Sequence, residues 1–168
     1  MMAEDRQITP REEDAPVEIF EAYFNARGWA CERVGEGEAI ASASGSWSQY
    51  ELRAVWRADD SVLQFLAFPD IKVVTDKKAA IYETIGLINE QLWMGHFEYW
   101  QGPGVIAFRH AILVDNSGQL SLEEAEGVSE AALEECERFF PVFQFVLWGG
   151  KSPSEAIEAA LIDTAGEA

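Results

Sequence analysis

Polar and charged residues fill positions 1 to 14, and regularly spaced apolar residues begin only after them. The pattern predicts a disordered acidic tail over 1–14 and one domain over 15–164. Asp14 is a capping residue, Pro16 fits a first helical turn, and Phe20, Tyr23 and Phe24 recur at helical spacing up to Gly28, a natural stop. The spacing then changes to that of strands. Trp29 to Val34 and Glu38 to Ser44 flank the turn Gly35-Glu36-Gly37. Gln49 to Ala58 alternates, with Tyr50, Leu52, Ala54 and Trp56 on one face and Glu51, Arg53 and Arg57 on the other. Asp59-Asp60 turns the chain into Val62 to Phe68, which is apolar on both faces. Such a strand is central or lies at an interface.

Helical spacing returns at Asp76, where Ile81, Ile85, Ile88 and Leu92 form one stripe and Gly95 is the expected end. His96 to Trp100 and Val105 to Val114 form a second hairpin. A two-residue turn at Pro103-Gly104 would set Glu98 opposite Arg109. After the loop at 115–118, Ser121 and Glu124 form a capping box. It opens an acidic helix with the inner stripe Ala125, Val128, Ala132, Cys136, Phe139 and Phe140, and Pro141 kinks or ends this helix. Val142 to Trp148 suits a helix or a buried strand. Helix is favoured, because Phe139, Phe143, Val146 and Leu147 share a face. A second capping box, Ser152 with Glu155, starts a last helix running through Leu161. The order is α-β-β-β-β-α-β-β-α-α. Its dominant hairpins argue an α+β fold with helices packed on a mostly antiparallel sheet.

Charge narrows the partners. The 168 residues include 12 Lys and Arg against 30 Asp and Glu, a formal net charge of -18. That field repels phosphate backbones and anionic membrane surfaces, so no nucleic acid and no membrane are expected as partners. No apolar run approaches the roughly 18 residues of a membrane span, and residues 1–14 lack the apolar core of a secretory signal. A cytoplasmic location is expected. Cys31 and Cys136 are far apart and form no CxxC, which suits reduced thiols.

No catalytic, metal or cofactor set emerges. Gly150-Lys151-Ser152 resembles the end of a phosphate loop, but Phe145 stands where its first glycine is required. Gly150, Lys151 and Ser152 remain candidates for holding an anion at a helix N-terminus. Residues 115–126 faintly echo a calcium loop, with Leu120 in place of the needed glycine. The two histidines, His96 and His110, fall on opposite faces of one hairpin, a poor start for a metal site with Glu98. The six tryptophans are the informative excess. Trp56 and Trp148 are read as core. Trp47, in a loop, and Trp100, beside a Gly-Pro-Gly turn, are harder to bury and are candidates for binding a protein partner. Leu66 joins them, on a face with Val55 and Val62 that is expected to form a homodimer.

The stretch Ile88-Asn89-Glu90-Gln91-Leu92-Trp93-Met94-Gly95-His96-Phe97-Glu98 resembles the "LN…L..GxFE" passage of YbjN-domain proteins. Arg138-Phe139-Phe140-Pro141, with Gly149-Gly150-Lys151-Ser152-Pro153-Ser154-Glu155-Ala156, is similar to that family's "R[YF][YF]P…GGxSPxEA" ending. The resemblance covers most of residues 15–162. It implies a fold like that of type III secretion chaperones, which are small, acidic, often dimeric and bind unfolded segments of secreted proteins. It implies a regulatory or chaperone-like binding function of the bacterial sensory transduction regulator type, and it carries over no catalytic residue. The alternatives are a small-ligand or anion-binding domain, or a cryptic enzyme, with a site near the Gly149–Ser152 helix start, and a structural module with one constitutive partner.

Overall fold

Alternating strands need a cover for one face, and here a helical layer supplies it. The computed structural model describes residues 16–115 and 119–165. Its elements run α1 (Pro16–Ala26), β1 (Ala30–Val34), β2 (Glu38–Ser44), β3 (Gln49–Arg57), β4 (Val62–Pro69), α2 (Lys78–Asn89), β5 (His96–Trp100), β6 (Val105–Leu113), α3 (Leu122–Leu147) and α4 (Pro153–Ala165). The six strands form one antiparallel sheet in the order β1-β2-β3-β4-β6-β5. The fold is α+β, with helices packed on an antiparallel sheet, as expected. The expected tail lies outside the described residues. Among those residues, no helix is long and apolar enough to cross a membrane.

Register decides which side chains meet the helices. One row crosses the sheet as Ala41, Leu52, Ala67, Phe108 and Phe97, all buried. On this side α1 packs on β1, β2 and β3, α2 on β5, and α3 on β4 and β6. Phe20 lies 5.6 Å from Phe65, ring centre to ring centre, and Phe143 lies 5.5 Å from Phe97. Burying each such ring contributes about 1.5–3 kcal/mol. The alanines of β2 at 39, 41 and 43 are buried on the same side and leave room for α1.

Both capping boxes form. Ser121 Oγ accepts from the Glu124 amide at 3.0 Å, and Ser152 Oγ accepts from the Glu155 amide at 3.3 Å. Val142 to Leu147 is helical, and α3 passes through Pro141 without ending. Its remaining hydrogen bonds and its long buried stripe outweigh the single amide that proline removes.

Four expectations are corrected. The helix α2 stops at Asn89, not at Gly95. The Asn89 side chain pairs with the Phe97 backbone, accepting from N–H at 2.8 Å and donating to C=O at 3.1 Å, so it ties the helix end to β5. A short 3-10 turn over Thr75–Lys77 precedes α2, where helix was expected from Asp76. Trp100 pairs with Val105 across a four-residue turn, so Glu98 faces Ala107 and Arg109 faces His96. Trp148 is 64% exposed rather than core, because the chain turns away there into Gly149 and Gly150. Trp56 does pack, half-buried, against the core.

Candidate functional site

Among the described residues no helix packs on the opposite face of the sheet, yet that face is far from polar. Leu66 sits near its middle, paired with Arg53 on one side and Arg109 on the other. It is only 6% exposed. Val55 and Val62 share this face and are half-buried. Phe68 meets Trp100 edge to face, with ring centres 5.1 Å apart. Ala107 faces the same way between them and is fully buried, which lets rings from two non-adjacent strands touch over it. The Arg53 guanidinium lies 5.5 Å from the Phe68 ring centre, and that of Arg109 lies 5.8 Å from the Trp100 ring. The result is an aromatic pair held between two cations.

Glu98 organises one end of this patch. Its carboxylate accepts from Trp100 Nε1 at 2.8 Å and from Arg109 at 2.9 Å, and it pairs with His96 Nε2 at 2.7 Å. Burial disfavours the carboxylate, but the Trp100 and His96 hydrogen bonds and the Arg109 charge outweigh that. The Glu98 pKa is held below the usual carboxylate range. At the other end Arg53 reaches Glu51 at 3.2 Å and Glu38 at 3.4 Å. The charges on this face are largely paired among themselves. This face is therefore apolar and aromatic within a frame of paired charges.

The other candidates fall elsewhere. Trp47 is 54% exposed in the β2–β3 turn, at the end of the sheet where Phe68 and Trp100 also lie. Gly150 takes φ +65° beyond the end of α3, which only glycine adopts easily. The Lys151 amide donates to the Phe145 carbonyl at 3.1 Å and the Ser152 amide to the Glu155 carboxylate at 3.2 Å. Those two amides are engaged within the chain, and an anion would have to displace Glu155. The Lys151 ammonium lies 5.7 Å from the Phe145 ring centre.

His96 and His110 point to opposite faces, and no group of three metal-ligating side chains occurs among the described residues. Burial, aided by the His96 charge, pushes the His110 pKa down. Cys31 is half-buried in β1 and Cys136 buried in α3, and burial raises both thiols.

Of the residues singled out in the sequence, Leu66 and Trp100 fall on this face, beside Phe68, Arg53 and Arg109, which the sequence reading did not place with them. The two-faced pattern of β4 was the available signal for Phe68. The arginines needed the register. It also passed over Trp93, which is fully exposed beside Met94 in the turn after α2.

Comparison with known proteins agrees with this architecture. The model of the YbjN family, described as "Putative bacterial sensory transduction regulator", matches residues 16–145. No curated protein matches the sequence. Among solved structures, a chain of the ExsC–ExsE complex superposes with a TM-score of 0.52 at 20% identity, covering 73% of this chain and 88% of that one. YbjN from E. coli superposes with a TM-score of 0.51 at 8% identity, covering 70% of this chain and 83% of that one.

Proposed function

The chain belongs to the YbjN family, and from that premise we propose that it is a non-enzymatic protein-binding domain, regulatory or chaperone-like, working in the cytoplasm. The observation that carries this reading is the helix-free face of the sheet. A core-sized leucine lies there between Arg53 and Arg109, beside an aromatic pair. Surfaces of this kind, apolar at the centre and framed by paired charge, are those at which proteins meet. Trp and Arg, both present here, are the residue types that dominate binding energy at such contacts. The structural neighbour comes from a complex of two proteins, ExsC and ExsE, which agrees with a protein partner here.

The partner surface consists of Leu66, Phe68 and Trp100, with Trp47 at the sheet end as an outlying contact. A second copy of the chain is one occupant of this face, seated over Val55, Val62 and Leu66. Light scattering of Leu66→Asp beside wild type tests it. A folded monomer against a wild-type dimer supports the homodimer, and an unchanged dimer removes that interface. Affinity capture from native lysate with mass spectrometry, beside Trp47→Ala plus Trp100→Ala, tests the wider reading. A defined protein should be retained by wild type and lost from the double variant. Equal retention by both would place the contact elsewhere.

A further inference from the structure

At the outer edge of the open face, a titratable side chain is joined to the aromatic pair through a single carboxylate. Glu98 Oε1 meets His96 Nε2 at 2.7 Å, and Glu98 Oε2 accepts from Trp100 Nε1 at 2.8 Å and from Arg109 at 2.9 Å. The Glu98 pKa is low, so near neutral pH its carboxylate only accepts, and His96 Nε2 must carry the proton of their bond. The proton that comes and goes on His96 is therefore the one at Nδ1. An unperturbed histidine takes up that proton at about pH 6.5. The His96 side chain is 47% exposed, so water reaches the ring.

The charges around His96 are few. β5 is the last strand of the sheet, so only β6 pairs with it. Arg109 stands opposite His96 on β6. His110 follows on the other face, its pKa lowered by burial and by the His96 charge. Glu124 of α3 lies with His110 beyond Met94. The helix α2 packs on β5 from the buried side, where Tyr82 meets Tyr99 and Asn89 meets the Phe97 backbone. The turn before His96, Trp93-Met94-Gly95, has no titratable side chain. Arg109 Nε is buried and has no acceptor among the described residues.

Charge counting gives the consequence. Glu98 and Arg109 cancel while His96 is neutral. Once His96 is protonated, two cations share the one carboxylate, and this end of the face carries a positive charge. We propose that His96 is a proton sensor for the open face: protonation at Nδ1 is passed through Glu98 to Trp100 and Arg109, and it switches their end of the face from neutral to cationic. The sensor is a property of the chain alone. Its use, regulation of partner binding by pH, rests on the protein-binding reading.

The indole N–H resonance of Trp100 reports the sensor in the full chain, and its loss in Trp100→Phe assigns it. In wild type it should move in one step between about pH 5 and 8. The step should vanish in His96→Gln, whose amide still donates to Glu98 but does not titrate. It should persist in His110→Gln and shrink severalfold in Glu98→Gln, which cuts the link. His96→Asn serves the same end should His96→Gln misfold by circular dichroism. A flat wild-type resonance, a step kept in His96→Gln, a step lost in His110→Gln, or an undiminished step in Glu98→Gln would each overturn the proposal. For the captured partner, the ratio of affinities at about pH 6 and pH 8 should differ at least about threefold between wild type and His96→Gln. Equal ratios would overturn the regulation. The two readings fail differently. A flat Trp100 resonance in a chain that still captures its partner through Trp100 removes the sensor and leaves the sheet face standing. A wild-type chain that captures no protein at all, with the Trp100 step present, removes the binding reading and leaves the sensor.

Discussion

Phe68 on β4 and Trp100 on β5 touch edge to face at 5.1 Å although β6 runs between their strands. Ala107 makes the contact possible. It is fully buried on the helix-free face, with no side chain beyond Cβ to separate the rings. Ala107→Leu should therefore wedge them apart. Stability should fall by about 1–3 kcal/mol, read from urea unfolding, and partner affinity should fall with it. A variant as stable as wild type would show that the stack is not held over Ala107.

Glu98 supplies a pH signature. Its pKa is lowered in the folded chain, because Trp100, His96 and Arg109 favour the carboxylate against the cost of burial. A group with a depressed folded pKa stabilises the fold above its unfolded pKa, near 4.3 for a glutamate, and loses that contribution as pH falls through the lower folded value. Wild type minus Glu98→Gln isolates this contribution from the other acids. The stability difference should be largest near neutrality and shrink as pH falls below about 4. A difference constant from neutrality down through that window would mean that Glu98 titrates normally.

Gly95→Ala should be among the costliest single substitutions. The new Cβ meets the Phe108 ring and the Arg109 carbonyl oxygen, and the backbone there is left-handed at φ +70°. Strain and overpacking together should remove about 2–4 kcal/mol. Gly127→Ala, at an open helical position, should be neutral or stabilising by up to about 1 kcal/mol. Chemical denaturation of the two variants side by side checks the contrast.

Neither thiol should be reactive in the native chain. Burial and neighbouring carboxylates raise Cys136, and burial with Glu21 raises Cys31, so thiolate is scarce near neutral pH. A thiol reagent should modify half-buried Cys31 slowly and Cys136 only on unfolding. Rapid native labelling of Cys136 would contradict its place in the core.

Much of this architecture was legible because local signals were strong. The alternation of Tyr50, Leu52 and Ala54, the stripe of α3 and both capping boxes each rest on spacing or on residues three apart. The lost details are non-local. The end of α2 is fixed by a side-chain bridge from Asn89 to Phe97, which no helix propensity encodes. The β5–β6 register depends on a four-residue turn rather than a two-residue one. Even so, Glu98 and Arg109 still meet, on a diagonal, because a shift of two residues keeps each side chain on its face. Leu66 and Trp100 could be singled out from composition and pattern. Their joining through Phe68, Arg53 and Arg109 required knowing that β6 lies between β4 and β5.

The most direct test of the central claim is site-specific photocrosslinking. A photoreactive residue at Gln64, which faces the helix-free side of β4 opposite Val55, is compared with one at Glu83 on the exposed side of α2. Each chain is irradiated with its captured partner and adducts are resolved by mass spectrometry. The account expects a partner adduct from position 64 and none from position 83. An adduct from 83 alone, or none from 64, would contradict binding at the open face of the sheet.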